Sequence, residues 1–225
     1  PTMMEQRRKM EPLTYTYLNW PAEWMNGMAE ACEDRGVEFM CTAYLADDVA
    51  VIDPYVKRHK IASLETADAE LIRQCQATGK PLLVSTGVHG QDDLYRIWDA
   101  VTNQSDWTLL HCVAAYPAPV DQLNLAVIRL AQANRATRFS LDGWSDHSGD
   151  VRTGMVAVAC GAPYIEVHVR HDLTPKDNPD YDHSLTVDQL KQYVANVRWA
   201  ERALGDGIKK VEPCEEPLRK HRVMA

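Results

Sequence analysis

Short apolar runs alternate with longer helical stretches along most of this chain, and that alternation leaves few folds open. Runs at 37–43, 59–62, 81–85, 107–113, 138–141 and 164–169 read as strands. An unbroken run such as Pro81-Leu82-Leu83-Val84 suits a strand covered on both faces. Between the runs, apolar residues recur at helical spacing. Residues 67–78 carry Ala69, Leu71, Ile72 and Cys75 and stop at Gly79, while 92–101 carry Leu94, Ile97, Trp98 and Val101. Residues 122–133 and 151–160 are similar, and 187–204, ending at Gly205, is the longest such stretch.

A βα unit repeating roughly every 20 to 30 residues predicts an α/β fold with a parallel sheet and crossover helices. The (β/α)8 TIM-barrel type has eight such units over about 250 residues. About six are legible here, so an incomplete barrel is expected over 1–208, with a charged exit segment at 209–225 that contains Pro213 and Pro217. A doubly wound open sheet is the alternative, but no glycine-rich dinucleotide or phosphate-loop fingerprint follows the first strand.

The 225 residues, 45% of them hydrophobic, suffice for one domain with a real core. A net charge of −8 argues against nucleic acid as a partner, though not against a small anion in a local basic pocket. No apolar run reaches the roughly 18 residues of a membrane span. With no basic start leading into an apolar signal region, the chain reads as cytoplasmic. The six cysteines show no C-x-x-C spacing and read as reduced thiols, with Cys41 and Cys112 in strand patterns near rim positions. Arg7-Arg8-Lys9 reads as a solvated run.

The chemistry-bearing residues fall at strand ends, the rim at which parallel α/β folds bind ligands. His147 and His168 end two successive strand-like stretches, and two neighbouring imidazoles there can hold a divalent metal. Asp146 or Glu166 could orient an imidazole. Lys60 alone reads as an exposed strand-start lysine or, pointing into a barrel mouth, as a fixed cation for a carboxylate or phosphate. Ser85-Thr86-Gly87 offers donors to an anion, or is a simple turn. His111 fits a hydrogen-bonded core histidine better than a ligand, and Tyr116 sits in a loop that could meet substrate. His59, His89, His171 and His183 read as surface or loop residues.

Taken together, Phe39-Met40-Cys41-Thr42, Lys60-Ile61-Ala62-Ser63 with Glu65, Lys80-Pro81 through Ser85-Thr86-Gly87, and His111-Cys112 with Tyr116-Pro117 and Asn124-Leu125 resemble the N-acetylneuraminate (sialic acid) synthase family. The match continues through Ser145-Asp146-His147, Gly161-Ala162, Glu166-x-His168, Asp182-His183-Ser184-Leu185 and Gly207-x-Lys209 with Glu215. The resemblance implies a (β/α)8 enzyme that condenses phosphoenolpyruvate with an N-acyl amino sugar, such as N-acetylmannosamine, to a nine-carbon 2-keto acid and phosphate. It implies a divalent metal, manganese first, with magnesium or cobalt as alternatives, on His147 and His168. It also implies Lys60, Ser63, Ser85 and Ser145, with Thr42 nearby, as the phosphoenolpyruvate grip. Glu65, Tyr116 and an aspartate near Asp182 would meet the sugar, with Lys60, Glu65 and Tyr116 as the catalytic set.

Against the family pattern, the chain is expected to lack the first two βα units and a C-terminal antifreeze-like domain. An open barrel leaves raw strand edges, so a homo-oligomer or a companion chain completing the barrel is the expected partner. Two other functions stay open at this point. One is a related phosphoenolpyruvate–aldose synthase using another sugar, and the other is a non-catalytic barrel subunit that binds a metal or an anion.

Overall fold

The computed structural model describes residues 23–100, 107–133 and 141–223. Within them, five parallel strands stand in sequence order: β1 (His59–Ile61), β2 (Leu82–Ser85), β3 (Trp107–Cys112), β4 (Gly143–Asp146) and β5 (Tyr164–Val167). Helices α1 (Trp24–Glu33) and α2 (Ala46–Ile52) precede them. The crossovers carry α3 (Ala69–Ala77), α4 (Gln91–Ala100), α5 (Ala126–Ala133) and α6 (Thr153–Ala159), and α7 (Val187–Leu204) follows the sheet. Sequential parallel order is the winding of a (β/α) barrel, whereas a doubly wound sheet reverses its order at a switch point. Single parallel bridges lengthen the arc at both ends, Thr42 against Lys60 and Leu185 against Val169. Among the described residues the arc does not close.

Local chemistry accounts for the elements. Asp68 caps α3, its Oδ1 accepting the N–H groups of Glu70 and Leu71 at 3.0 Å each, and the helix then buries Leu71, Ile72 and Cys75. Thr186 and Gln189 form a reciprocal capping box at the start of α7. Strand residues alternate between two sides. Ile61, Leu82, Val84 and Leu109 join one apolar cluster with α1, α2 and α3, and Trp144 joins a second with Leu123, Leu125, Ile128 and Ala157. The intervening residues, Lys60, Ser85, Ser145 and Glu166, face the barrel interior and one another.

Three features depart from the expected element pattern. The run at 37–43 forms only the Thr42 bridge, and Val37 is exposed. Helices α1 and α2 occupy segments with no helical assignment from the sequence. A strand with no apolar run to announce it, β4, stands at Gly143–Asp146. Residues 138–140 lie outside the described residues, as does Arg7-Arg8-Lys9. Hydropathy misses β4 because its inward positions are a glycine and a serine, and Asp146 is held by side chains rather than by apolar burial. The exit segment carries an exposed 3-10 helix, Pro213–His221.

Gly143 is small for a packing reason. A Cβ there would lie 2.5 Å from Leu110 Cδ2 and 2.6 Å from the Tyr164 carbonyl oxygen. Gly143→Ala is therefore expected to destabilise the fold by about 1–3 kcal/mol through overpacking between β3 and β5. A urea melt of the variant, read at its midpoint, checks this.

Candidate active site

Parallel register builds the site in two layers. Ser145 pairs with Glu166 across β4 and β5. His147 and His168 each lie two residues further on, so strand alternation sends both to the same side one layer higher. Their ring centroids are 5.1 Å apart.

The lower layer binds negative charge. Lys60 is buried rather than exposed, and its Nζ donates to Ser85 Oγ at 2.8 Å and to the Ile61 carbonyl at 3.0 Å. Glu166 Oε2 accepts from Ser145 Oγ at 2.7 Å and from Ser85 Oγ at 3.4 Å, with Lys60 Nζ 3.5 Å away. Three donors thus converge on one carboxylate oxygen. Burial opposes ionisation of Glu166, but Lys60, Ser145 and His168 outweigh it and hold the carboxyl below its ordinary range. Gly87, at φ +54°, lets the β2 end approach Ser63, because a Cβ would run into the Ser63 backbone. Thr86 is committed to structure: its N–H donates to the Leu110 carbonyl and its hydroxyl accepts from Cys112 N.

The upper layer is aromatic. Tyr116, half exposed on the loop after β3, has its ring 4.3 Å from that of His147 and 4.9 Å from that of His183, and its hydroxyl is 3.5 Å from Ser63 Oγ. His147 Nδ1 lies 3.0 Å from the Val113 carbonyl. Donation along that contact leaves Nε2 with a free lone pair. Burial first, and then the neighbouring His168, push the His147 pKa down to about 4. Burial and His183 lower His168 as well. Both imidazoles are therefore neutral at pH 7, the form that binds metals.

Asp146 and Glu166 do not orient an imidazole by a direct hydrogen bond. Asp146 accepts from Thr153 and from Tyr193 Oη at 2.8 Å, pinning the β4 end to α6 and α7. Glu65 is buried in the turn after β1, and Thr42 is half buried beside Lys60. Asp182 is exposed, and the carboxylate that reaches the imidazoles is Asp180. His111 is the core histidine expected, with Nε2 2.8 Å from the Leu123 carbonyl. His59 and His183, read from sequence as surface or loop residues, are both buried. His59 Nε2 meets Asp53 at 3.0 Å, whereas His183 lies 4.5 Å from His168 between ring centroids. The donor atoms of His168, Asp180 and His183 fall within 4.8 Å of one another. The Asp-x-x-His spacing at 180–183 was the available signal for this pair. Burial raises the Cys112 and Cys41 thiols, so neither is a thiolate at pH 7.

Residues 3–209 match the NeuB family. This chain belongs to that family. Among its relatives is the pseudaminic acid synthase of Campylobacter jejuni, 32% identical over 97% of this chain and 62% of that protein. Another is the N,N'-diacetyllegionaminic acid synthase of Legionella pneumophila, 32% identical over 85% of this chain and 55% of the relative. The human N-acetylneuraminate-9-phosphate synthase is 30% identical over 81% and 51%. This NeuB-family chain thus spans about half to three-fifths of the length of these relatives. In fold it matches the N-acetylneuraminic acid synthetase of Leptospira borgpetersenii at TM-score 0.79, with 22% identity over 91% of this chain and 71% of that one. It also matches the spore coat polysaccharide biosynthesis protein spsE of Bacillus subtilis at TM-score 0.73, with 30% identity over 87% and 55%.

Low pH tests the neutral imidazoles. His147, ordinarily near 6.5, is held near 4 when folded. Between those values the unfolded chain binds the proton and the folded chain does not, so stability is lost as pH falls through that window. His111 and His168 are shifted the same way. The urea midpoint of the metal-free chain is expected to drop between pH 7 and pH 5, and an unchanged midpoint would count against buried neutral histidines.

Proposed function

We propose that this chain carries the catalytic barrel of a synthase that condenses phosphoenolpyruvate with an N-acyl amino sugar, giving a nine-carbon 2-keto acid and phosphate. The observation that supports this best is the layering. A buried lysine and two serine hydroxyls gather around one anionic oxygen, directly beneath neutral imidazoles on the neighbouring strand ends. Family membership and the relatives' roles as synthases agree with this reading.

Lys60, Ser63, Ser85 and Ser145 grip the carboxylate and phosphate of phosphoenolpyruvate, groups that call for a cation and several hydroxyl donors. The donor chemistry of the upper layer fits a divalent metal, since His147 and His168 are neutral and His147 has a lone pair to offer. When bound there, a cation such as Mn2+ supplies Lewis-acid polarisation of the sugar's aldehyde oxygen. Held above phosphoenolpyruvate by Tyr116 and Glu65, the open-chain aldehyde carbon forms a bond to the methylene carbon of the enol. The enol π electrons make that bond as the aldehyde C=O π pair moves to its oxygen, which ends as a hydroxyl with a proton given up by the water that adds next. Positive charge develops at the second carbon of phosphoenolpyruvate, where water adds, and phosphate leaves with its bridging C–O electrons as the ketone forms. Fixing both substrates in one pocket supplies much of the rate.

The relatives differ in their sugars, so the N-acyl sugar is chosen by experiment. Phosphate release is measured with the purified chain, Mn2+, phosphoenolpyruvate and a panel of N-acylated six-carbon amino sugars, and products are weighed by mass spectrometry. Release that needs both the sugar and the metal is expected. A folded, metal-binding chain that releases nothing across the panel would overturn the reading in favour of a non-catalytic subunit.

A further inference from the structure

We propose that His183 is a third imidazole ligand of this metal centre, and that it tilts the centre toward transition-series divalent ions and away from magnesium. The inference rests on the metal reading of His147 and His168 made above. His183 is 1% exposed, and neither of its ring nitrogens has a hydrogen-bond partner among the described residues. Its Nε2 lies 3.4 Å from Asp180 Oδ1, an ion-pair distance without the alignment of a hydrogen bond. Buried polar atoms in folded proteins are nearly always partnered. The contrast is with half-buried His111, whose Nε2 lies 2.8 Å from the Leu123 carbonyl, and with buried His59, which keeps one partner, Asp53 at Nε2, while its Nδ1 has none; His183 has none at either nitrogen.

The backbone holds His183 at the centre. Leu185 N donates to the His168 carbonyl at 2.8 Å, and Arg170 N donates to the Leu185 carbonyl at 2.9 Å. The 183–185 segment therefore runs along the end of β5, which brings the His183 ring to 4.5 Å from His168 and 6.1 Å from His147, measured between centroids. Asp180, three residues earlier, adds a carboxylate within the same 4.8 Å cluster. Imidazole nitrogens favour cobalt, zinc and iron, whereas magnesium prefers oxygen ligands and keeps its waters. A third imidazole thus strengthens cobalt binding far more than magnesium binding.

Calorimetric titration of Co2+ and of Mg2+ into the wild-type chain, His183→Leu and His147→Ala tests this. His183→Leu is expected to weaken Co2+ binding roughly tenfold or more while changing Mg2+ binding by less than about twofold. Unchanged Co2+ affinity, or an equal loss for both ions, overturns the proposal. His147→Ala reports on the underlying reading: if it binds Co2+ as the wild type does, that metal centre is wrong whatever His183 does. If His147→Ala loses the metal and His183→Leu keeps it, only the present inference fails. Should His183→Leu not fold, pulsed electron paramagnetic resonance of Mn2+ on the wild-type chain decides instead. Modulation from three imidazole nitrogens supports the proposal, and modulation from two overturns it.

Discussion

His147→Ala is expected to abolish Mn2+ binding and, with it, phosphate release. Lewis-acid stabilisation is worth several kcal/mol, so the condensation rate should fall by roughly three orders of magnitude or more. His168→Ala is expected to do the same, because strand alternation and the β4–β5 register set the two imidazoles side by side. The fold should survive both changes. His168 is only partly buried, and the β4 end is anchored independently through Asp146 to Tyr193 and Thr153. Calorimetry of Mn2+ binding alongside a thermal melt separates the outcomes. Two variants that melt like the wild type and still bind Mn2+ at its affinity would sink the assignment.

Lys60→Met is expected to raise the KM for phosphoenolpyruvate about 10- to 100-fold, the size of a lost charge-assisted hydrogen bond of 1.5–3 kcal/mol, while the sugar KM stays within a few fold. The methionine keeps most of the aliphatic stem, so packing against β2 changes little. Stability should fall as well, because Glu166 loses its cation. That carboxylate is 37% exposed, so solvent screens it, and the loss is on the order of 1–2 kcal/mol rather than the larger figure for a fully buried pair. The double variant Lys60→Met/Glu166→Gln distinguishes the two roles. It should recover most of the stability and none of the phosphoenolpyruvate affinity. If both substrates weaken equally in Lys60→Met, the lysine is a structural residue.

The fold was largely legible because parallel strands covered on both faces are written as unbroken apolar runs, and the helices between them as 3.6-residue periodicity. The α7 helix matches its expected span, and α3 its expected stretch within a few residues. Legibility failed where function displaced hydrophobicity. β4 escaped because Ser145 bonds Glu166 and Gly143 is kept small by Leu110 and Tyr164, and 37–43 looked like a strand although only Thr42 pairs. Lys60 could have lain on either side of β1 until the strand's direction was known. In the candidate site, His147 and His168 stood out because each ends one of two successive strand-like stretches.

His183 and Asp180 did not stand out, since a loop has no periodicity to say which way its side chains turn. Sequence by itself determined the alternation of elements, the rim position of His147 and His168, and the presence of a lysine and serines near that rim. Tertiary structure alone decided that Lys60 points inward onto Glu166, that Asp146 anchors helices instead of a histidine, and that Leu185 pairs with the residues just past β5. The physical reason is range. Strand and helix patterns follow from neighbours in sequence, whereas these contacts join residues from 16 to 106 positions apart (Lys60 with Glu166, Asp146 with Tyr193, His168 with Leu185 and Val169 with Leu185), and only the winding of the sheet brings them together.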